Sequence, residues 1–129
     1  MTLVPTTIPS EHPLPRVVLT DVDDTLTWEG RLPSVTLAAM ERLAAAGIAL
    51  VPVTGACAGW CDQIARTWPV SAVIGENGAF TIEREGRHLR YRDWQDEATR
   101  MRHQAWLQKA AATLLRRYPG LRLALDNAY

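Results

Sequence analysis

The stretch Arg16-Val-Val-Leu-Thr-Asp-Val-Asp-Asp-Thr-Leu-Thr27 constrains this chain more than any other. Val17, Val18 and Leu19 form an apolar run rich in β-branched residues, which suits a strand buried on both faces. Three carboxylates and a threonine follow at once, at Asp21, Asp23, Asp24 and Thr25. Carboxylates crowded at the end of a buried strand repel one another and lose hydration. A bound divalent cation is the usual relief.

A hard cation such as Mg2+ takes oxygen ligands and leaves positions for water and phosphate. An ionised Asp beside it can attack phosphorus and form an aspartyl-phosphate. A second Asp two residues on lies about 7 Å further along an extended chain. From there it can protonate a leaving oxygen and later activate water. Asp21 therefore reads as nucleophile and metal ligand, and Asp23 as general acid/base, its backbone carbonyl serving as a second metal ligand. The plainer reading is a strand end whose Asp residues cap turns or a following helix.

The run Asp21-Val22-Asp23-Asp24-Thr25-Leu26 after an apolar strand resembles motif I of the haloacid dehalogenase superfamily. The resemblance implies the same two roles for Asp21 and Asp23, with Mg2+ as cofactor. Many members carry Gly where this chain has Asp24, a position that varies in the family.

The length, 129 residues, allows one modest domain, and an apolar content of 47% supplies a core and argues against disorder. The formal net charge of zero argues against nucleic acid or an anionic membrane as a dedicated partner. No apolar run reaches the length of a membrane span. Residues 1–15 hold four prolines and no basic or apolar leader region, so an irregular lead-in without a signal peptide is expected. Cys57 and Cys61 are spaced for one helix face, where a disulfide is awkward. They read as reduced, partly buried thiols of a cytoplasmic protein.

Residues 25–32 look like a short strand, a Glu29-Gly30 turn and a return. The resemblance implies a flap here that helps close the site, with Trp28 in it or in the core. Ser34 reads as an N-cap. Leu37, Met40, Leu43 and Ala44 share a helical stripe, and Gly47 suits the position after the helix. Residues 48–53 form a second apolar strand. Strand, helix, strand is a right-handed crossover between parallel neighbours.

Thr54-Gly55 follows that strand directly. A hydroxyl and an unobstructed N–H at a strand's carboxyl end make a phosphate grip, or else a simple strand-to-helix turn. Their place matches motif II of the superfamily, which implies that Thr54 and Gly55 contact the transferred phosphoryl group. A helix over residues 58–67 carries Trp60, Ile64 and Trp68 as its apolar side and stops at Pro69.

A third strand, residues 70–74, runs into Gly75-Glu-Asn-Gly-Ala79. That segment resembles the Glu-Asn-Gly turn of the superfamily branch with an inserted α/β cap (type IIB). The branch includes sugar phosphatases and phosphomannomutase. Glu76 and Asn77 could orient substrate; equally the glycines fit a plain hairpin turn. Residues 79–83 and 88–92 alternate as a hairpin, and Asp93 or Asp96 caps a helix reaching about residue 118. Ala98, Met101, Ala105, Leu107, Ala111, Leu114 and Leu115 supply its apolar positions, and Arg100, Arg102, Arg116 and Arg117 read as a solvated face. Residues 121–125 alternate as a further strand.

The expected fold class is thus α/β, with an incomplete Rossmann-like parallel sheet core over residues 1–80. Residues 81–129 form the first part of a cap. Motif III, a Lys, and motif IV, acidic residues that complete the Mg2+ site, have no counterpart here: Lys109 sits inside the expected cap helix and Asp126 in a cap strand. The motif I strand then becomes a sheet edge, which invites pairing. A fragment, a truncated product or a homodimer covering that edge is expected, with little turnover from the chain alone. The resemblance implies a phosphohydrolase acting on a small-molecule phosphate ester, a sugar phosphate or sugar acid by the cap type. The alternatives are a phosphosugar mutase of the same fold and a non-catalytic interaction module.

Overall fold

The computed structural model describes residues 13–123. Residues 1–12 of the expected lead-in, and Leu125 and Asp126 of the expected last strand, lie outside them.

Strand β1 (Val17–Thr20) leads through the acidic loop to helix α1 (Ser34–Ala45) and strand β2 (Ala49–Pro52). β2 runs parallel to β1, with Thr20 opposite Pro52, as the crossover requires. Helix α1 ends in a Schellman arrangement. The Gly47 N–H donates to the Ala44 carbonyl and the Ile48 N–H to the Leu43 carbonyl, each at 3.0 Å. Gly47 supplies the left-handed φ of +70° that this closure needs.

Helix α2 (Ala58–Thr67) and strand β3 (Ala72–Gly75) complete a second crossover. β3 meets the end of β2 through a parallel bridge between Val53 and Ile74. A 3-10 turn at Glu76–Gly78 then reverses the chain into β4 (Phe80–Glu85) and β5 (His88–Asp93), which extend β3 as an antiparallel ladder. The long helix α3 (Glu97–Arg117) follows. Asp96 is its N-cap, accepting from the Thr99 N–H at 2.9 Å.

The core lies between α1, α2 and the sheet. Val22, Met40, Leu50, Cys61, Ile64, Val73, Phe80 and Ile82 are buried in it. The hairpin is fastened to α2 by polar contacts. The Tyr91 hydroxyl donates to Asp62, which also receives a bidentate pair from Arg66 at 2.6 and 2.9 Å. The Arg84 guanidinium donates to the carbonyls of Ala65 and Arg66 at the carboxyl end of α2.

Several expectations change. β1 is not buried on both faces: among the described residues it pairs with β2 alone, the edge position also expected for it, and Val17 and Leu19 are 51% and 65% exposed. The N-cap of α1 is Pro33, with Ser34 the first helical residue, because the Thr36 and Leu37 N–H groups bond the Pro33 carbonyl. Ala44 faces solvent while Met40 is buried. On α2 the buried side is Cys61, Ile64 and Ala65, and Trp60 is 59% exposed. The flap shrinks to one bridge, Trp28 to Arg31, around a Glu29-Gly30 turn with φ of 49° and 70°. None of the residues of α3 is buried among the described residues, and residues 121–123 form no strand. An alternating pattern marks which residues could face a partner, but no partner is packed there.

Candidate active site

Parallel pairing puts the carboxyl ends of β1, β2 and β3 on one edge, where open α/β sheets bind ligands. The Val53 N–H donates to the Thr20 carbonyl at 2.7 Å and the Thr54 N–H to the Ile74 carbonyl at 3.0 Å. The ladder therefore delivers Asp21, Thr54 and Glu76, each just past a strand, to the same edge.

Past β1 the chain winds round one acceptor. The Val22 carbonyl receives the N–H groups of Thr25, Leu26 and Thr27 and the Thr27 hydroxyl. Asp24 closes this turn with a left-handed φ of 57°. Asp is among the few residues other than glycine that tolerate that region. Val22 points into the core, so Asp21 and Asp23 on either side of it are exposed. The Thr25 hydroxyl donates to Asp21 Oδ2 at 3.5 Å.

Thr54 is buried to 3% exposure. Its hydroxyl oxygen accepts the Ala56 N–H at 3.1 Å, which leaves its own proton able to donate. Gly55 next to it is exposed. A Cβ at Gly55 would come within 3.3 Å of Asn77 Oδ1, so the Asn77 amide lies directly over this glycine.

The Glu76–Gly78 turn is tied to the same loop. The Glu76 N–H donates to the Ala56 carbonyl and the Asn77 N–H to the Thr54 carbonyl, each at 3.1 Å. Glu76 and Asn77 both adopt positive φ, 45° and 57°. Consecutive left-handed non-glycine residues persist only where surrounding contacts hold them. The Ala56 carbonyl also accepts from the Cys61 thiol at 3.5 Å. Burial first, then the neighbouring Cys57 and Glu76, pushes the Cys61 thiol up to about 11.

Two cavities flank the edge. One, of about 380 Å³, contains Asp23 and Thr54 together with Trp60, Gln63 and Trp68 of and beyond α2. The other, of about 760 Å³, lies between the Glu76 turn and α3, with Glu76, Asp93, Arg100 and His103 on its walls. Asp23 and Thr54 thus line one cavity and Asn77 lies over Gly55, while Glu76 lines the second cavity and Asp21 lines neither. Sequence reading did not place Trp60, Gln63 and Trp68 on the wall of this cavity. Their signal was their position on, or for Trp68 just past, the helix that begins three residues after Gly55.

Asp21 offers a lightly engaged carboxylate and Asp23 a second one nearby. Among the described residues no three acidic, histidine or cysteine side chains gather as a metal centre. Mg2+ does not need such a cage, because one or two carboxylates suffice when water and phosphate complete the shell. The residues present fit that pattern.

Similarity to known proteins agrees with this geometry. A solved structure from Bacteroides thetaiotaomicron, described among phosphatases of the haloalkanoate (HAD) enzyme superfamily, matches with a TM-score of 0.58 at 25% identity, over 84% of this chain and 40% of that one. A haloacid dehalogenase-like hydrolase from B. subtilis matches with a TM-score of 0.54 at 23% identity, over 74% of this chain and 34% of its own. A hypothetical protein from Geobacillus kaustophilus gives 0.56 and 23%, over 77% and 37%. The chain thus spans well under half the length of each. Comparison with curated proteins gave no significant match. The haloacid dehalogenase-like hydrolase model matches residues 18–115, which takes in β1 from Val18 on, the acidic loop and Thr54-Gly55, and the chain belongs to this family.

Proposed function

We propose that this chain carries the nucleophile and phosphoryl grip of a Mg2+-dependent phosphohydrolase acting on a small phosphorylated metabolite, a sugar phosphate by preference. The observation that carries the reading is that Asp23 and Thr54 share one pocket on the strand edge where Asp21 follows β1. Asp21 and the Asp23 carbonyl would hold Mg2+. When bound, the ion offsets charge on the phosphoryl oxygens and on the Asp21 carboxylate.

Asp21 attacks phosphorus and forms an acyl phosphate as the ester P–O bond breaks. Asp23, protonated for this step, gives its proton to the departing oxygen. The Thr54 hydroxyl and the Gly55 N–H hold the phosphoryl oxygens throughout, the Ala56 N–H bonding the Thr54 oxygen and leaving its proton to donate. Asp23, now a carboxylate, takes a proton from water. That water attacks phosphorus, the bond to Asp21 breaks, and inorganic phosphate leaves. Residues 81–129 belong, in this reading, to the beginning of a cap over the site.

The test is phosphate release from sugar phosphates with Mg2+ and with a chelator. Mg2+-dependent release that falls at least about 100-fold in Asp21→Asn and Asp23→Asn supports the reading. Release that survives Asp21→Asn refutes it.

A further inference from the structure

From the way charge is laid out along the strand edge, we infer that two copies of this chain dock reciprocally, the cationic helix α3 of each against the acidic loop after β1 of the other. The contact stands apart from the phosphohydrolase reading.

The net charge of zero conceals a separation. Residues 17–30 hold four acidic residues and no basic one, while residues 98–123 hold six basic residues and no acidic one. Asp21, Asp23, Asp24 and Glu29 are all exposed, and none enters an ion pair among the described residues. Of the six cations only Arg100 is paired with an acid among the described residues, with Asp93 at 3.2 Å. Two unneutralised patches of opposite sign attract one another between copies and steer their encounter.

The fold sets both patches on the same edge. The strand row runs β1-β2-β3-β4-β5, with the Val53–Ile74 bridge joining its two ladders. The acidic loop leaves the carboxyl end of β1. At the far end of the row Asp93 closes β5 opposite Phe80, which in turn lies opposite Gly75 at the end of β3. Helix α3 therefore starts from the same edge, about 19 Å along it at the usual strand spacing. A twofold axis between the two ends lays α3 of one copy over the loop of the other, and the reverse.

The helix presents the right side for this. Arg100, His103, Leu107 and Ala111 line the cavity between α3 and the Glu76 turn. Arg102, Lys109 and Arg116, each seven residues apart, form a stripe on the opposite side of a 3.6-residue helix. All three are exposed. Trp106 beside the stripe and Trp28 in the acidic loop add exposed rings, which suit cations and anchor interfaces. A helix of this length is about 30 Å long, and one side of it covers about 300 Å². A single contact then buries about 600 Å² in total, too little for a specific interface, whereas the reciprocal pair reaches about 1,200 Å², the lower end of the range. The dimer is weak and tightens as salt falls.

The experiment is sedimentation velocity of the full chain without divalent cations, at about 0.01 M and about 0.15 M sodium chloride, where charges act over about 30 and 8 Å. Lys109→Glu and Glu29→Lys are run singly and as an equimolar mixture. Arg42→Glu and Glu41→Lys change the net charge by the same amounts and serve as the control pair. Both are exposed on the last part of α1, which returns to the opposite edge of the sheet.

The expected result is a monomer–dimer equilibrium at least about tenfold tighter at the lower salt. Lys109→Glu and Glu29→Lys each weaken it at least about tenfold alone, and their mixture recovers it to within about threefold, which also shows that both variants fold. The α1 variants, alone or mixed, stay within about threefold of the unaltered chain. A monomer at both salts overturns the inference. So does association that neither Lys109→Glu nor Glu29→Lys disturbs, which assigns it to the β1 edge. Equal effects from the α1 pair reduce the attraction to net charge and overturn it as well. If the chain stays monomeric yet binds oligo(dT) in a way lost in Lys109→Glu, the stripe serves a nucleic acid and the inference fails.

Discussion

The backbone N–H of Asn77 donates to the carbonyl of Thr54 at 3.1 Å, while the Asn77 side-chain amide covers Gly55. One residue of the turn after β3 thus braces both Thr54 and Gly55, the proposed phosphate grip after β2. The brace requires Asn77 to hold a φ of 57°. A left-handed conformation costs an ordinary residue roughly 1–2 kcal/mol, and Asn less, because its short amide bonds locally.

Asn77→Ala should therefore destabilise the fold by about 1 kcal/mol, and Asn77→Gly should be close to neutral. Both remove the amide above Gly55, so both should weaken phosphate binding at Gly55. Chemical denaturation and phosphate titration of the two variants separate the backbone effect from the side-chain effect.

Gly75 is needed for a different reason. A Cβ there would lie 2.2 Å from the Phe80 ring and 2.7 Å from the Cys61 sulfur. Phe80 and Cys61 are both buried and cannot retreat freely. Gly75→Ala should cost about 1–3 kcal/mol by overpacking, read as a lower denaturation midpoint.

The Arg66 guanidinium, then the Tyr91 hydroxyl, hold the Asp62 carboxyl below its ordinary value of 3.8. A depressed carboxyl stabilises the fold above its unfolded pKa, and that contribution is lost as pH falls through the folded value. The group is partly exposed and screened by solvent, so the effect is small. Melting temperature should be flat in this respect above pH 4 and fall more steeply below it. Asp62→Asn should blunt that acid limb and leave the neutral plateau nearly unchanged.

Leu19 stands on the uncovered side of β1 at 65% exposure. Leu19→Lys should change stability by less than about 0.5 kcal/mol, as surface substitutions do. A charge on an edge strand also opposes strand pairing between molecules. Light scattering at rising concentration should show less self-association in the variant.

Local signals in the sequence carried far. Helix α2 spans residues 58–67 as its stop at Pro69 predicted, because proline cannot continue a helix. Thr54-Gly55 falls at the strand edge, since a buried apolar run followed by a small polar pair leaves few other arrangements. Partner-dependent features were not legible. The periodicity that placed Trp60 on an apolar side says nothing of whether a second surface meets it, and the ring is exposed. The apolar run of β1 by itself reads as buried on both faces, yet among the described residues only β2 pairs with it, so the run does not reveal the edge. The left-handed turn at Asp24 and the seat of Asn77 over Gly55 depend on backbone geometry, and the second on residues far apart in the chain. The same holds for the pocket that joins Asp23 to Trp60 and Trp68.

The central claim is that Asp21 is the phosphoryl acceptor. The direct measurement is peptide mapping of the chain after brief exposure to radiolabelled acetyl phosphate with Mg2+, beside Asp21→Asn and a chelated control. The account predicts a single label on the peptide containing Asp21, lost in the variant and without metal. A label that persists in Asp21→Asn, or no label under conditions where inorganic phosphate binds Thr54, would contradict it.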